Sequence, residues 1–288
     1  MTVKNEIILH QHVEVALNTL EDDLSLGSLF PEHFSVLLGP SDAGKTRLLE
    51  ELQDRAEARG EKVLKFLAPA KSSHTFSWRP LQMSFLRALG YSLTKTRTER
   101  NLEDNWYIIY ELIKQEAFDL IIIDDTDFLN TAVSESARST VIEKIRTIVR
   151  NLPSNVVLAG THHLQSIITV EGQGSNRCHP VCLDNYLRTE ELHVEAFLDC
   201  VEIISSRLDV PLADEVFEDV DLLFDESLGC VGSIYERLHY AQAYAKRRNV
   251  AFIEREDFVK AYKEIDPMKK RKSEIEIYYS QKNKEETV

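Results

Sequence analysis

The sequence predicts an α/β protein, a doubly wound parallel sheet of about five strands flanked by helices and followed by a small helical lid subdomain. Three observations carry this prediction. Short apolar runs with the length and flanks of buried parallel strands alternate with helix-period stretches up to about residue 188. Beyond that point strand patterns stop and only helical patterns remain. The 288 residues, 43% hydrophobic and 28% charged, are enough for one large core and a small one without disulfides or metals to staple them.

The strand runs are Phe34 to Leu38, Val63 to Leu67, Leu120 to Ile123 and Val156 to Ala159, with a fifth short strand at Val181 to Leu183. Between them, Arg47 to Arg59 alternates apolar and charged positions at helix period and stops at Gly60, and Ala132 to Arg150 does the same and stops before Pro153. Further helices end near Leu89-Gly90 and contain Trp106. The lid carries helical patterns over roughly 190–207, 212–226, 230–248 and 254–265. Domain boundaries follow: 1–188 for the α/β domain, 189–266 for the lid, and 267–288 for a loosely held tail that opens with Lys269-Lys270-Arg271-Lys272.

Composition narrows the function classes. No apolar run approaches the roughly 20 residues that span a bilayer, and the first fifteen residues lack the pattern of a secretory signal, so a cytoplasmic protein is expected. Four cysteines in such a chain read as reduced thiols. The net charge of −14 argues against a protein that coats nucleic acid with its whole surface. The charge is uneven, however. Residues 71–100 carry Lys71, Arg79, Arg87, Lys95, Arg97 and Arg100 against Glu99 alone, whereas residues 190–227 are rich in acids with Arg207 as their one strong base.

Gly39-Pro40-Ser41-Asp42-Ala43-Gly44-Lys45-Thr46 fits G-x-x-x-x-G-K-[ST] directly after a strand and before a helix, the context a phosphate loop requires. The loop's backbone N–H groups and the helix N-terminus enclose a β-phosphate, Lys45 supplies a point charge and Thr46 a hydroxyl for Mg²⁺; Arg47 follows at the helix start. Hydrolysis also needs a carboxylate for Mg²⁺ and a group to orient water. Ile121-Ile122-Ile123-Asp124-Asp125 provides both: Asp124 for Mg²⁺ and Asp125 facing the γ-phosphate; Asp127 is a third candidate, read in the first place as a helix cap or loop residue. If the strand ending at Ala159 lies between the two motif strands, Gly160-Thr161-His162-His163 points at the γ-phosphate, and Thr161 or His162 becomes a sensor. Arg177, in the Gly-rich loop 172–177, is placed to project into a neighbouring subunit's nucleotide.

These motifs resemble the AAA+ ATPases and, within them, the transposon-encoded TniB/TnsC regulators, more distantly MuB. The likeness runs from about Leu20 to Ile265 and rests on GPSDAGKTRLLEEL, FDLIIIDDTDFL, NVVLAGTHHL, the Arg177 loop, and Gly229-Cys230-Val231-Gly232-Ser233-Ile234 before AQAYAKRR. It implies a P-loop AAA+ fold and an ATPase using ATP and Mg²⁺. Such an enzyme assembles as a ring or helical filament on duplex DNA, recruits a transposase, works with a TniQ-like target selector and leaves DNA on hydrolysis. It also implies that the insertion before the second motif faces DNA through Lys95, Thr96, Arg97 and Arg100. Two departures stand out. Asp125 replaces the usual Glu, which implies slow hydrolysis, and Tyr235 occupies the lid position where a Gly-x-x-Arg motif has arginine, with Arg237 two residues on.

Other constellations are weaker. Cys178, His179 and Cys182 lack the second ligand pair of a structural zinc site. No G-x-S-x-G elbow follows a strand. Trp78 and Trp106, at helix period, fit a core better than a base-stacking platform. The competing functions are a loader or remodelling ATPase acting on a protein partner, and an ATP-binding switch with little turnover.

Overall fold

The computed structural model describes residues 10–27, 30, 32–70, 76–91, 102–131, 135–165, 178, 180–263, 273 and 276. The chain divides into two compact units. One comprises Ala16–Gly39 and Lys45–Cys182; the other comprises Met1–Val15, Pro40–Gly44 and Leu183–Val288.

The first unit is built on five parallel strands: β1 (Ser35–Leu38), β2 (Val63–Leu67), β3 (Leu120–Asp124), β4 (Asn155–Gly160) and β5 (Pro180–Cys182). Their order is β2-β3-β4-β1-β5. Strand β4 therefore lies between the two motif strands, with Ser35 opposite Val157 and Ile121 opposite Val156. The central strands are apolar except at their ends, as a parallel sheet covered on both faces requires, and every residue of β1 and β3 is buried. Among the described residues, five helices accompany the sheet: α1 (Gln11–Gly27), α2 (Lys45–Ala58), α3 (Arg79–Ala88), α4 (Leu102–Glu116) and α5 (Glu135–Arg150). Trp106 and Phe85 are buried in the core, with Trp78 packed against it.

Helix α1 was not expected. It buries Val13, Ala16, Leu17, Leu20 and Leu24, a stripe at helix period. In its last turns, Asp23 accepts hydrogen bonds from the Ser35 hydroxyl at 2.5 Å and the His33 ring at 3.1 Å, which ties the helix to the start of β1.

Over the described residues 189–263 the second unit is helical: α6 (Glu191–Ser206), α7 (Asp214–Phe217), α8 (Val220–Ser227), α9 (Val231–Arg248) and α10 (Arg255–Lys263). Phe197, Val201, Leu223, Ile234, Leu238 and Phe258 form its core. The stretch read as one helix over 212–226 is two, because the Asp219 carboxylate accepts from Leu222 N–H and starts a new helix there. No described helix is long and apolar enough to cross a membrane.

Candidate functional site

The loop between β1 and α2 reverses direction through left-handed backbone at Asp42 (φ 63°) and Gly44 (φ 97°). Glycine takes such a conformation without the steric cost of a Cβ, which explains it at 44. Ala43 N–H donates to Pro40 C=O at 3.3 Å and closes the turn. Lys45, the first residue of α2, donates from Nζ to Gly39 C=O at 2.9 Å. The ammonium is thus held back on the residue that opens the motif, and a phosphate oxygen would take over as its acceptor.

At the next residue, Thr46 Oγ1 donates to Asp124 Oδ2 at 2.7 Å. These two residues are 78 positions apart in sequence. The other oxygen, Asp124 Oδ1, accepts from Asp125 N–H at 2.8 Å, and the Asp124 side chain is buried at the carboxyl end of β3. A hydroxyl and a carboxylate in contact are hard oxygen donors of the kind Mg²⁺ takes alongside substrate phosphates, so this pair fits the ion that the motif implies. No group of three or more His, Cys, Asp or Glu among the described residues is arranged to hold a metal.

Asp125 also has left-handed backbone (φ 62°), unusual for a non-glycine residue. Burial pushes its carboxyl above the ordinary range, the nearby Asp127 and Asp124 add to that, and Lys45 opposes them. Asp127 lies inside the short 3₁₀ helix Thr126–Thr131 that follows β3. Its Oδ1 accepts from both Thr161 N–H at 3.0 Å and Thr161 Oγ1 at 2.6 Å. Thr126 Oγ1 donates to Ala159 C=O at 2.8 Å, so the turn after β3 holds the end of β4 at two adjoining points. His162 is buried just beyond. Arg47 is exposed and paired with Glu50 at 2.6 Å. Sequence reasoning passed over Lys65 of β2, which lies 4.0 Å from Glu50; burial lowers its pKa, while Glu50 and Asp124 pull it upward. Lys95, Thr96, Arg97, Arg100 and Arg177 lie outside the described residues.

The loop's tip, Pro40–Gly44, belongs to the helical unit. There the Cys230 thiol donates to Asp42 C=O at 3.4 Å, and burial pushes the thiol pKa upward. Gly232, in the first turn of α9, faces the same carbonyl so closely that a Cβ would sit 2.0 Å from the oxygen. Contact of that kind has no local sequence signal; the Gly229 to Ile234 stretch was noticed only as a lid pattern. Tyr235, in the following turn, places its ring 4.4 Å from that of His239. Arg237 is fully buried in the helical core, donating to Phe258 C=O at 3.1 Å and Glu226 C=O at 2.9 Å.

A family model described as "AAA domain" matches residues 30–168. No curated protein matches the sequence. Among solved structures the fold is similar to the Aeropyrum pernix ORC1 protein in complex with DNA, at TM-score 0.63 and 18% identity over 90% of this chain and 66% of that one. The ADP form of Aeropyrum pernix ORC2 gives TM-score 0.63 at 15% identity, covering 90% of this chain and 70% of that one. Cdc6p from Pyrobaculum aerophilum gives 0.60 at 15%, covering 90% and 68%. The chain thus spans about two thirds of the length of these structures. The phosphate loop, the Thr46–Asp124 pair and strands β1 to β4 stand within the matched segment, so residues 30–168 match a P-loop AAA domain in sequence, strand by strand and at the nucleotide motifs.

Proposed function

We propose that the protein is an ATP-hydrolysing, DNA-associated AAA+ ATPase that serves as a transposition regulator of the TniB/TnsC kind. The observation that carries the ATPase reading is the hydrogen bond between Thr46 and Asp124 beside the phosphate loop, which joins the two halves of a nucleotide-hydrolysing site. The loop amides and Lys45 bind the phosphates, while Thr46 and Asp124 would hold Mg²⁺. Mg²⁺ held there would supply positive charge against the negative charge developing on the phosphates. Asp125 orients water for attack on the γ-phosphorus. The new P–O bond forms as the bond to the β-phosphate's bridging oxygen breaks, and the water proton passes by way of Asp125 to solvent.

DNA association draws support from the basic run Lys95, Thr96, Arg97 and Arg100 in an otherwise acidic chain, and from the likeness to a fold solved with DNA bound. An acidic subunit still binds duplex when a homo-oligomer, ring or filament, multiplies a few contacts per copy. Arg177 completes a neighbour's nucleotide site in such an assembly. The transposase and a TniQ-like selector are the partners implied by the motif resemblance. A second reading, an ATP-binding switch with little turnover, is favoured by the short Asp125 side chain at the water-orienting position.

Electron microscopy with duplex DNA, comparing an ATP analogue with ADP, tests the assembly. ATP-dependent rings or filaments on DNA are expected, and Lys95→Ala with Arg97→Ala should flatten the salt dependence of binding without changing ATP affinity. A parental salt slope in that variant, or assembly indifferent to nucleotide, removes the DNA-regulator reading.

A further inference from the structure

We propose that Asp127 is a positioning residue that turns Thr161 into a hydrogen-bond acceptor for the attacking water, so that Thr161 acts on the water and not on the γ-phosphate. The inference rests on the ATPase reading above and assigns a partner to one of its residues. Thr161 N–H can only donate, and it does so to Asp127 Oδ1 at 3.0 Å; this oxygen therefore faces Thr161 as an acceptor. The Thr161 hydroxyl reaches the same oxygen at 2.6 Å, the length of an O–H bond to a carboxylate. A threonine hydroxyl has one proton and two lone pairs, and here the proton is committed. Phosphate oxygens are acceptors and gain nothing from a hydroxyl whose proton is spent. Water is a donor, and the lone pairs of Thr161 Oγ1 suit it.

The arrangement is held from several sides. A Cβ at Gly160 would meet Thr126 Oγ1 at 3.1 Å and Asp127 Oδ1 at 3.3 Å, so the end of β4 lies directly on the turn after β3. Thr126 Oγ1 fastens Ala159 C=O one residue earlier. Asp127 stands two residues from Asp125 on that turn, and so a single short segment sets both the group that orients water and the group that receives its second hydrogen bond.

The test is a double-mutant cycle on the full chain with Mg²⁺ and ATP, reading kcat, KM and fluorescent-nucleotide affinity for Thr161→Val, Asp127→Ala and their combination, with Thr161→Ser and Asp127→Asn as conservative controls. Each of the first two should lower kcat about tenfold or more with nucleotide affinity within about threefold, since misplaced water costs rate and not binding. The double variant should be no slower than the worse single, because Asp127 acts through Thr161. Asp127→Asn keeps an Oδ1 acceptor and Thr161→Ser keeps the hydroxyl, so both should recover most of the turnover. Multiplying losses in the double variant would overturn the proposal, as would a rise in KM at unchanged kcat, or Asp127→Asn as slow as Asp127→Ala. Should Asp127→Ala not fold, Thr161→Val against Thr161→Ser still decides, since parental kcat in Thr161→Val overturns it. A parent without turnover removes the ATPase reading and this inference together; a parent that turns over while its double variant shows additive losses removes this inference alone.

Discussion

Replacing Arg237 with Met should cost the helical unit about 4 kcal/mol. The Arg237 side chain is completely buried. It donates to the carbonyls of Phe258 and Glu226, pairs with the Glu226 carboxylate at 2.6 Å, and lies 4.7 Å from the centre of the Phe258 ring. Met preserves the stem's packing and removes every donor. Breaking one partner out of a buried pair costs about 3–5 kcal/mol, and each buried carbonyl left unpaired about 1–3. These losses overlap at Glu226, whose side chain is 20% exposed and recovers some hydration, so they do not sum. At roughly 2–4 °C per kcal/mol, Tm falls by about 8–16 °C. Urea denaturation followed by circular dichroism measures the loss. The double variant Arg237→Met with Glu226→Gln removes the stranded charge and should regain about 1–2 kcal/mol. A loss below about 1 kcal/mol would refute the argument. So would unchanged stability with abolished ATP turnover, because Arg237 would then face nucleotide and not the helical core.

Lys45→Ala should abolish tight nucleotide binding, measured by fluorescent-nucleotide titration; affinity within threefold of the parent would remove the phosphate-loop assignment. Asp125→Asn should keep ATP affinity and lower turnover, and an unchanged kcat would move the water-orienting role to another group. Burial, helped by the neighbouring His12, lowers the His10 pKa from 6.5 to about 4, with its Nδ1 2.7 Å from the Tyr186 hydroxyl. The unfolded chain therefore takes up a proton below pH 6.5 that the folded chain refuses until about pH 4. Stability from this group is full above pH 6.5 and falls with pH, by up to about 3 kcal/mol. His10→Asn should flatten the decline between pH 6.5 and 4 in urea titrations, and an unaltered slope would show that other groups cause it.

Features written in local pattern were legible in the sequence. Parallel strands buried on both faces must be apolar along their length, so the runs at 34–38, 63–67, 120–123 and 156–159 mark the sheet to within a residue or two. The phosphate loop and the aspartates after β3 are contiguous words whose spacing reflects their chemistry, and Thr46 and Asp124 meet in space. Helix α1 was missed although Val13, Ala16, Leu17, Leu20 and Leu24 carry the period; its acidic, weakly apolar composition drew attention away. The break at Asp219 was missed because the apolar pattern continues through it and only the capping carboxylate marks the new start. Asp127 read as a cap or loop residue in the first place, since nothing within its neighbourhood points to a threonine 34 residues away. Arg237 stood two residues past the arginine position of the lid's Gly-x-x-Arg pattern, and only three-dimensional packing shows that it serves the core.

The contact of Gly232 and Cys230 with Asp42 C=O bears on how this loop evolves and how it is recognised. Residues Gly39 to Thr46 are scored as a self-contained signature, yet part of what shapes their tip is encoded 188 positions later in the chain. Mutational tolerance at 232 should accordingly resemble that of a signature glycine: alanine there forces the Asp42 carbonyl aside, while the eight letters of the motif stay unchanged. A shortened protein that ends after β5 would pass any motif search and keep Lys45, Thr46 and Asp124. It would still have lost the groups against which the bend at Asp42 is set. Sequence divergence among lids and sequence divergence among phosphate loops are therefore not independent quantities in this architecture, and a library that varies one should be screened together with the other.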